Sequence, residues 1–163
     1  MAESKMKLLY YPNSKLREVA EPIDEFTPEI MVDLAQMFKL MLRYGGAGLA
    51  APQVGINKRL IIVAVPGWQC MLANPEITSF QGQQIDDEAC LSIPKVKVLV
   101  HRPQEITVRG KNEQNKFVEI SARGFVARVL QHEIDHLEGK LIIDYSKKFG
   151  GAKRGHKKKK KTK

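Results

Sequence analysis

Cysteine is scarce in this chain, with Cys70 and Cys90 the only two, so a disulfide framework is excluded as the source of its stability. Long apolar runs are missing as well. Leu8-Leu9-Tyr10-Tyr11 is too short for the hydrophobic part of a signal peptide before Pro12, and nothing further on is long enough to cross a bilayer. No membrane partner is expected, and the cytoplasm, or an organellar matrix, is the expected location. Internal repeats are absent. The small-residue stretch Gly46-Ala47-Gly48-Leu49-Ala50-Ala51-Pro52-Gln53 lacks both the GK[ST] ending and the GxGxxG spacing, which excludes the common phosphate and dinucleotide loops. Acidic residues are lacking in one place only: residues 147–163 hold ten of the 27 lysines and arginines and no acid. The remaining 17 bases face 18 acids, so the body is near neutral and the formal +9 belongs to the tail.

What is present fits one globular domain over residues 1–146 followed by a basic tail over 147–163. The 163 residues, 43% hydrophobic and 28% charged, can bury one good core. Residues 6–25 read as irregular, punctuated by Pro12 and Pro22. Thr27 can then cap a helix with Pro28 in its first turn, and Ile30, Leu34, Met37, Phe38, Met41 and Leu42 follow at helical spacing up to Gly45-Gly46. Residues 59–65 form a near-continuous β-branched run with residues 70–73 as its partner. Further strands are expected over 95–101, 105–109 and 117–120. The order predicts an α+β fold, with mostly antiparallel strands packed around a late, buried helix.

That late helix carries Gln131-His132-Glu133-Ile134-Asp135-His136 inside an apolar run between Gly124 and Gly139. Residues four apart on a helix differ by about 40° in azimuth and one turn in height, so His132 and His136 aim their rings at one point. Two core histidines four apart by chance would be costly to bury with two acids beside them. The pair therefore reads as metal ligands, with a neighbouring carboxylate working on metal-bound water.

A catalytic ion usually takes three protein ligands and leaves one position open. Downstream, the spacing of one metallopeptidase group would put a third histidine at residue 142, which is Ile142, and no glutamate follows Glu138. Asp144 stays open, and His156 sits in the tail. Upstream, Cys90 in Asp86-Asp87-Glu88-Ala89-Cys90-Leu91-Ser92 is the best candidate, a soft thiolate that two imidazoles can accompany. The small residues from Gly46 onward permit close approach of another backbone, with the Gln53 amide as a donor at the end of that wall. Glu133 and Asp135 flank the histidine face about equally, and helix geometry does not choose between them.

These stretches together resemble the peptide deformylases. Gly46–Gln53 matches GxGxAAxQ, Glu88–Ser92 nearly matches EGCLS, and His132–His136 matches HExDH, in the family's order. The resemblance covers about residues 8–145. It implies an α+β fold with the last motif on a central helix, and removal of the formyl group from the N-terminal formyl-methionine of nascent polypeptides, giving formate and a free amine. It further implies Cys90, His132 and His136 as ligands of one divalent ion, ferrous iron in many members and replaceable by zinc, nickel or cobalt. Glu133 would be the general acid/base; that leaves Asp135 as a structural partner, with Arg102 its expected mate, and Glu88 as an ion-pairing group or the acceptor of a loop hydrogen bond. Gln53 and the Leu91 backbone N–H would stabilise the oxyanion, and backbone groups of Ala47 and Gly48 would pair with the extended substrate.

Two positions depart from the family pattern. Ala89 replaces the usual glycine, which is harmless only where the backbone avoids positive φ, and Lys97 stands where many bacterial members carry arginine. The tail, with Lys157–Lys161, reads as a solvated, disordered extension suited to ribosomal RNA near the emerging chain. A monomer is expected. The competing functions are a metallopeptidase cutting internal peptide bonds and a catalytically weak RNA-binding homologue.

Overall fold

The computed structural model describes residues 5–146. The basic tail, with the disorder and RNA contact expected of it, lies outside the described residues.

The first long element is the expected helix. α1 spans Pro28–Arg43, with the Thr27 hydroxyl accepting from the Ile30 amide at 3.3 Å, which satisfies one of the free N–H groups of its first turn. It buries Ile30, Leu34, Met37 and Met41. Leu42, expected on the same stripe, is exposed.

Seven strands follow, and every strand pairing is antiparallel: β1 Gly48–Ala50, β2 Leu60–Val65, β3 Trp68–Gln81, β4 Gln84–Cys90, β5 Ile93–Arg102, β6 Glu105–Lys111 and β7 Phe117–Arg123. They form a five-stranded sheet in the order β1-β2-β3-β6-β7 and a separate β4-β5 pair. Side chains alternate across a strand, and β2 uses both faces. Leu60 and Ile62 pack with Ile30, Leu34 and Met37 of α1, while Ile61 and Val63 pack with the second helix, α2, over Gly124–Leu137. Cover on both faces explains why β2 reads as an unbroken apolar run rather than an alternating one.

α2 lies between the two sheets. Ala127, Leu130, Ile134 and Leu137 face Leu72, Ile106 and Val108 of the large sheet, while Arg128 and His132 reach Glu88 on β4. The helix stops at Gly139, whose φ of +69° belongs to the left-handed region and whose absent Cβ leaves room for the Arg17 carbonyl. An ion pair between Arg17 and Asp144, with Leu141, Ile142 and Ile143 buried behind it, closes the described chain over β5.

β4 is the main difference from the sequence expectation, which placed an acidic loop there. Asp86 and Asp87 are exposed and Glu88 and Cys90 are buried, so a real strand carries two of the acids in solvent and takes the third into the interior. Glu88 and Cys90, two apart, share the inward face. β3 also runs through Pro75 to Gln81, with register shifts between Ala73 and Glu76 and between Ile77 and Ser79. A bulge of this kind accommodates a residue that cannot donate to the ladder.

Candidate metal centre

The β4-β5 register runs regularly from Gln84 opposite Arg102 to Ala89 opposite Lys97, then shifts so that Cys90 pairs with Ile93. Such a shift re-aims a side chain, and Cys90 comes to face α2. Its Sγ lies 3.4 Å from His136 Nε2, which is 3.3 Å from His132 Nε2. Ligand atoms of the three residues all fall within 4.8 Å of one another, and all three side chains are buried. A tetrahedral ion with sulfur and nitrogen bonds of about 2.0–2.3 Å would hold its donors roughly 3.3–3.6 Å apart, so the cluster fits one ion. Asp144, the alternative left open by the sequence, pairs with Arg17 instead.

Glu88 organises the layer behind the cluster. Its Oε1 lies 2.9 Å from His132 Nδ1, which leaves Nε2 for the cluster. Its other contacts are the guanidiniums of Arg102, at 2.5 and 2.7 Å, and Arg128, at 2.6 Å. Burial would raise the Glu88 carboxyl, but the hydrogen bonds from Arg102 and His132 reverse that and hold it down at about 2. Burial likewise opposes charge on His132, and its bonds to Cys90 and Glu88 overturn this and raise it to about 10. His136 is pushed well below its ordinary value by burial and by the neighbouring His132. Asp135 meets Arg102 at 3.0 Å, as the sequence predicted, and also accepts from the Tyr145 hydroxyl.

Glu133 occupies the other flank of the helix. It is buried, its Oε2 has no hydrogen-bond partner among the described residues, and burial raises its carboxyl to about 7. A Cβ on Gly48 would lie 2.6 Å from Glu133 Oε1. The glycine therefore leaves the room that the Glu133 side chain fills, a reason the sequence reading, which assigned the small residues to substrate approach, did not contain.

Gln53 is buried, accepts from the Ala50 amide at 2.9 Å, donates to the Ser92 hydroxyl at 3.1 Å, and brings Nε2 to 3.8 Å from Cys90 Sγ. β1 is the terminal strand of its sheet. The Ala47 carbonyl accepts from Ala64, so by strand alternation the backbone of Gly48 faces the open edge. Gly48, Gln53, Leu91, Cys90, His132 and Glu133 line one cavity of about 270 Å³. Ala89 is absent from the positive-φ residues, and its Cβ is therefore accommodated without strain. Lys97 lies outside this cavity, in a neighbouring groove with Lys95 and Val96.

Sequence reasoning missed Arg128. It sits 3% exposed on α2, lines the same cavity, and also accounts for part of Glu88's charge. An arginine inside an otherwise apolar helical run was the available signal.

A family model described as polypeptide deformylase matches residues 5–151. The chain is 46% identical over 129 residues to a peptide deformylase of Carboxydothermus hydrogenoformans, covering 79% of this chain and 85% of that one. Its structure is similar to the crystal structure of a peptide deformylase from Thermotoga maritima, with a TM-score of 0.84 and 36% identity over 87% of this chain and 97% of that one. A Legionella pneumophila peptide deformylase gives 0.83 and 38% over 86% and 85%.

Proposed function

The chain belongs to the peptide deformylase family, metal-dependent hydrolases that remove the formyl group from nascent polypeptides and release formate, and we propose that Cys90, His132 and His136 hold its ion. The observation that carries this reading is the convergence of Cys90 Sγ with the two Nε2 atoms, beside a buried carboxyl with an unused oxygen. A thiolate with two imidazoles suits ferrous iron, with zinc, nickel or cobalt as replacements. Bound there, the ion supplies Lewis acidity, lowering the pKa of a water toward neutrality and polarising a carbonyl.

Glu133 then takes the proton of the attacking water and returns it to the leaving amine. A carboxyl held near 7 has the balanced proton affinity that both transfers need. Negative charge developing on the formyl oxygen is met by the Gln53 amide, whose Nε2 is already turned toward Cys90, and by the Leu91 backbone N–H. The extended peptide adds to the open edge of β1 through the backbone of Gly48, with Ala47 beside it. Glu88 and Asp135 position His132 and Arg102 and take no part in proton transfer.

Among the described residues no helix is long and apolar enough to cross a membrane. We place the protein in the cytoplasm as a monomer, with the Lys-rich tail contacting ribosomal RNA. Protein purified without oxygen should carry one divalent ion per chain and release formate from formyl-Met-Ala-Ser without cutting the tripeptide. Internal cleavage, or RNA affinity with no turnover, would replace the assignment.

A further inference from the structure

Cys90 stands on β4 and the two histidines on α2, so the spacing of the cluster depends on what holds the β4-β5 pair against the helix. Part of that hold is Glu88, which meets His132 and Arg128 of α2. The rest runs through Arg102 of β5. Its Nε and Nη2 donate to Glu88, and its Nη1 reaches Asp135 on α2 at 3.0 Å. One guanidinium thus ties both strands to the residue that precedes His136.

A third element closes over this junction. The short 3-10 turn Ile142–Tyr145 brings Tyr145 against it in two ways. The phenolic hydroxyl donates to Asp135 Oδ2 at 2.6 Å, the same oxygen that Arg102 Nη1 uses, and the ring lies 5.1 Å from the Arg102 guanidinium. The first is a charge-assisted hydrogen bond and the second a cation–π contact. Tyr145 is 42% exposed while Arg102 beneath it is 5% exposed, so the ring helps to keep water from the Arg102 bonds and strengthens them. Tyr145 itself belongs neither to the cluster nor to the lining of its cavity. Resting on the ligand set of the deformylase reading, we propose that Tyr145 is a positioning residue for the ion: it latches Arg102 to Asp135, and so fixes how far the Cys90 sulfur stands from the His132 and His136 rings.

The test reads ion binding. Groups that orient metal ligands are worth about 10–100-fold in metal affinity, so Tyr145→Leu should bind cobalt(II) about tenfold or more weakly than the wild type in chelator competition. Tyr145→Phe keeps the ring and loses only the hydroxyl, and should fall between the two. In the cobalt-loaded proteins the thiolate-to-metal charge-transfer absorption should shift in Tyr145→Leu, because it reports the placement of the sulfur. Arg17→Met breaks the other anchor of the same turn, the pair with Asp144. It should lower the urea midpoint and leave cobalt affinity and spectrum as in the wild type, since lost stability does not weaken binding by a chain that circular dichroism shows to stay folded. Wild-type affinity and spectrum in Tyr145→Leu, or equal changes in Arg17→Met, overturn the inference and leave the ligand set standing. Should Tyr145→Leu not fold, wild-type affinity in Tyr145→Phe overturns it. A wild-type chain that binds no cobalt, or a Cys90→Ala chain that binds it unchanged, overturns the ligand set as well.

Discussion

The two helices are similar in length and differ in what they bury. α1 buries four apolar side chains and leaves its other face to solvent. α2 buries ten residues, and five of them, Arg128, Gln131, His132, Glu133 and His136, are polar. Burial of apolar area stabilises α1 without demanding particular partners. Each polar group on α2 needs a specific acceptor or donor from elsewhere in the chain, because an unpaired one costs more than the pair contributes. One helix is held by amount of surface, the other by identity of neighbours.

Substitutions at the two helices and at the partners of α2 should separate these regimes. Cys90→Ala removes a donor to the ion and should abolish both metal retention and formate release, as read by metal analysis and a formate assay. A fully active Cys90→Ala protein would break the ligand assignment. Glu133→Gln keeps the shape beside Gly48 and should keep the ion while turnover falls about 10²–10⁴-fold. Loss of metal in that variant would make Glu133 a structural residue. Glu88→Ala leaves the buried Arg128 guanidinium without its carboxylate and Arg102 with Asp135 alone. It should cost about 3–5 kcal/mol in urea unfolding, even though no part of the reaction touches Glu88. Thr27→Ala on α1 removes only the cap to the Ile30 amide, and should cost about 1 kcal/mol with formate release unchanged. An equal loss at Thr27 and Glu88 would erase the distinction between the helices.

The same contrast explains what was legible in advance. α1 was readable from cap to stop because its signals are local: Thr27, Pro28 and a stripe at helical spacing. Its error was Leu42, where the stripe continues past the surface that the sheet covers. β4 was unreadable as a strand because three successive acids suggest a loop, and only the partner network makes Glu88 an inward residue. The Asp135 to Arg102 pair was foreseen. The second arginine on Glu88 was not, since its partner lies 40 residues away in sequence. Gly48 was assigned to substrate approach; that Glu133 also fills the space a Cβ would need could not be read in advance.

By itself the sequence determined the two long helices, the apolar strand β2 and the shared aim of His132 and His136, because spacing along one regular element fixes direction; Cys90, on another element, could be offered only from its donor chemistry. Only the tertiary structure decided which carboxylates are held ionised by cationic partners and which are buried without one. That choice depends on which groups meet across separate elements: Glu88 meets two guanidiniums and is held ionised, while Glu133 meets none directly and is left near neutrality's edge.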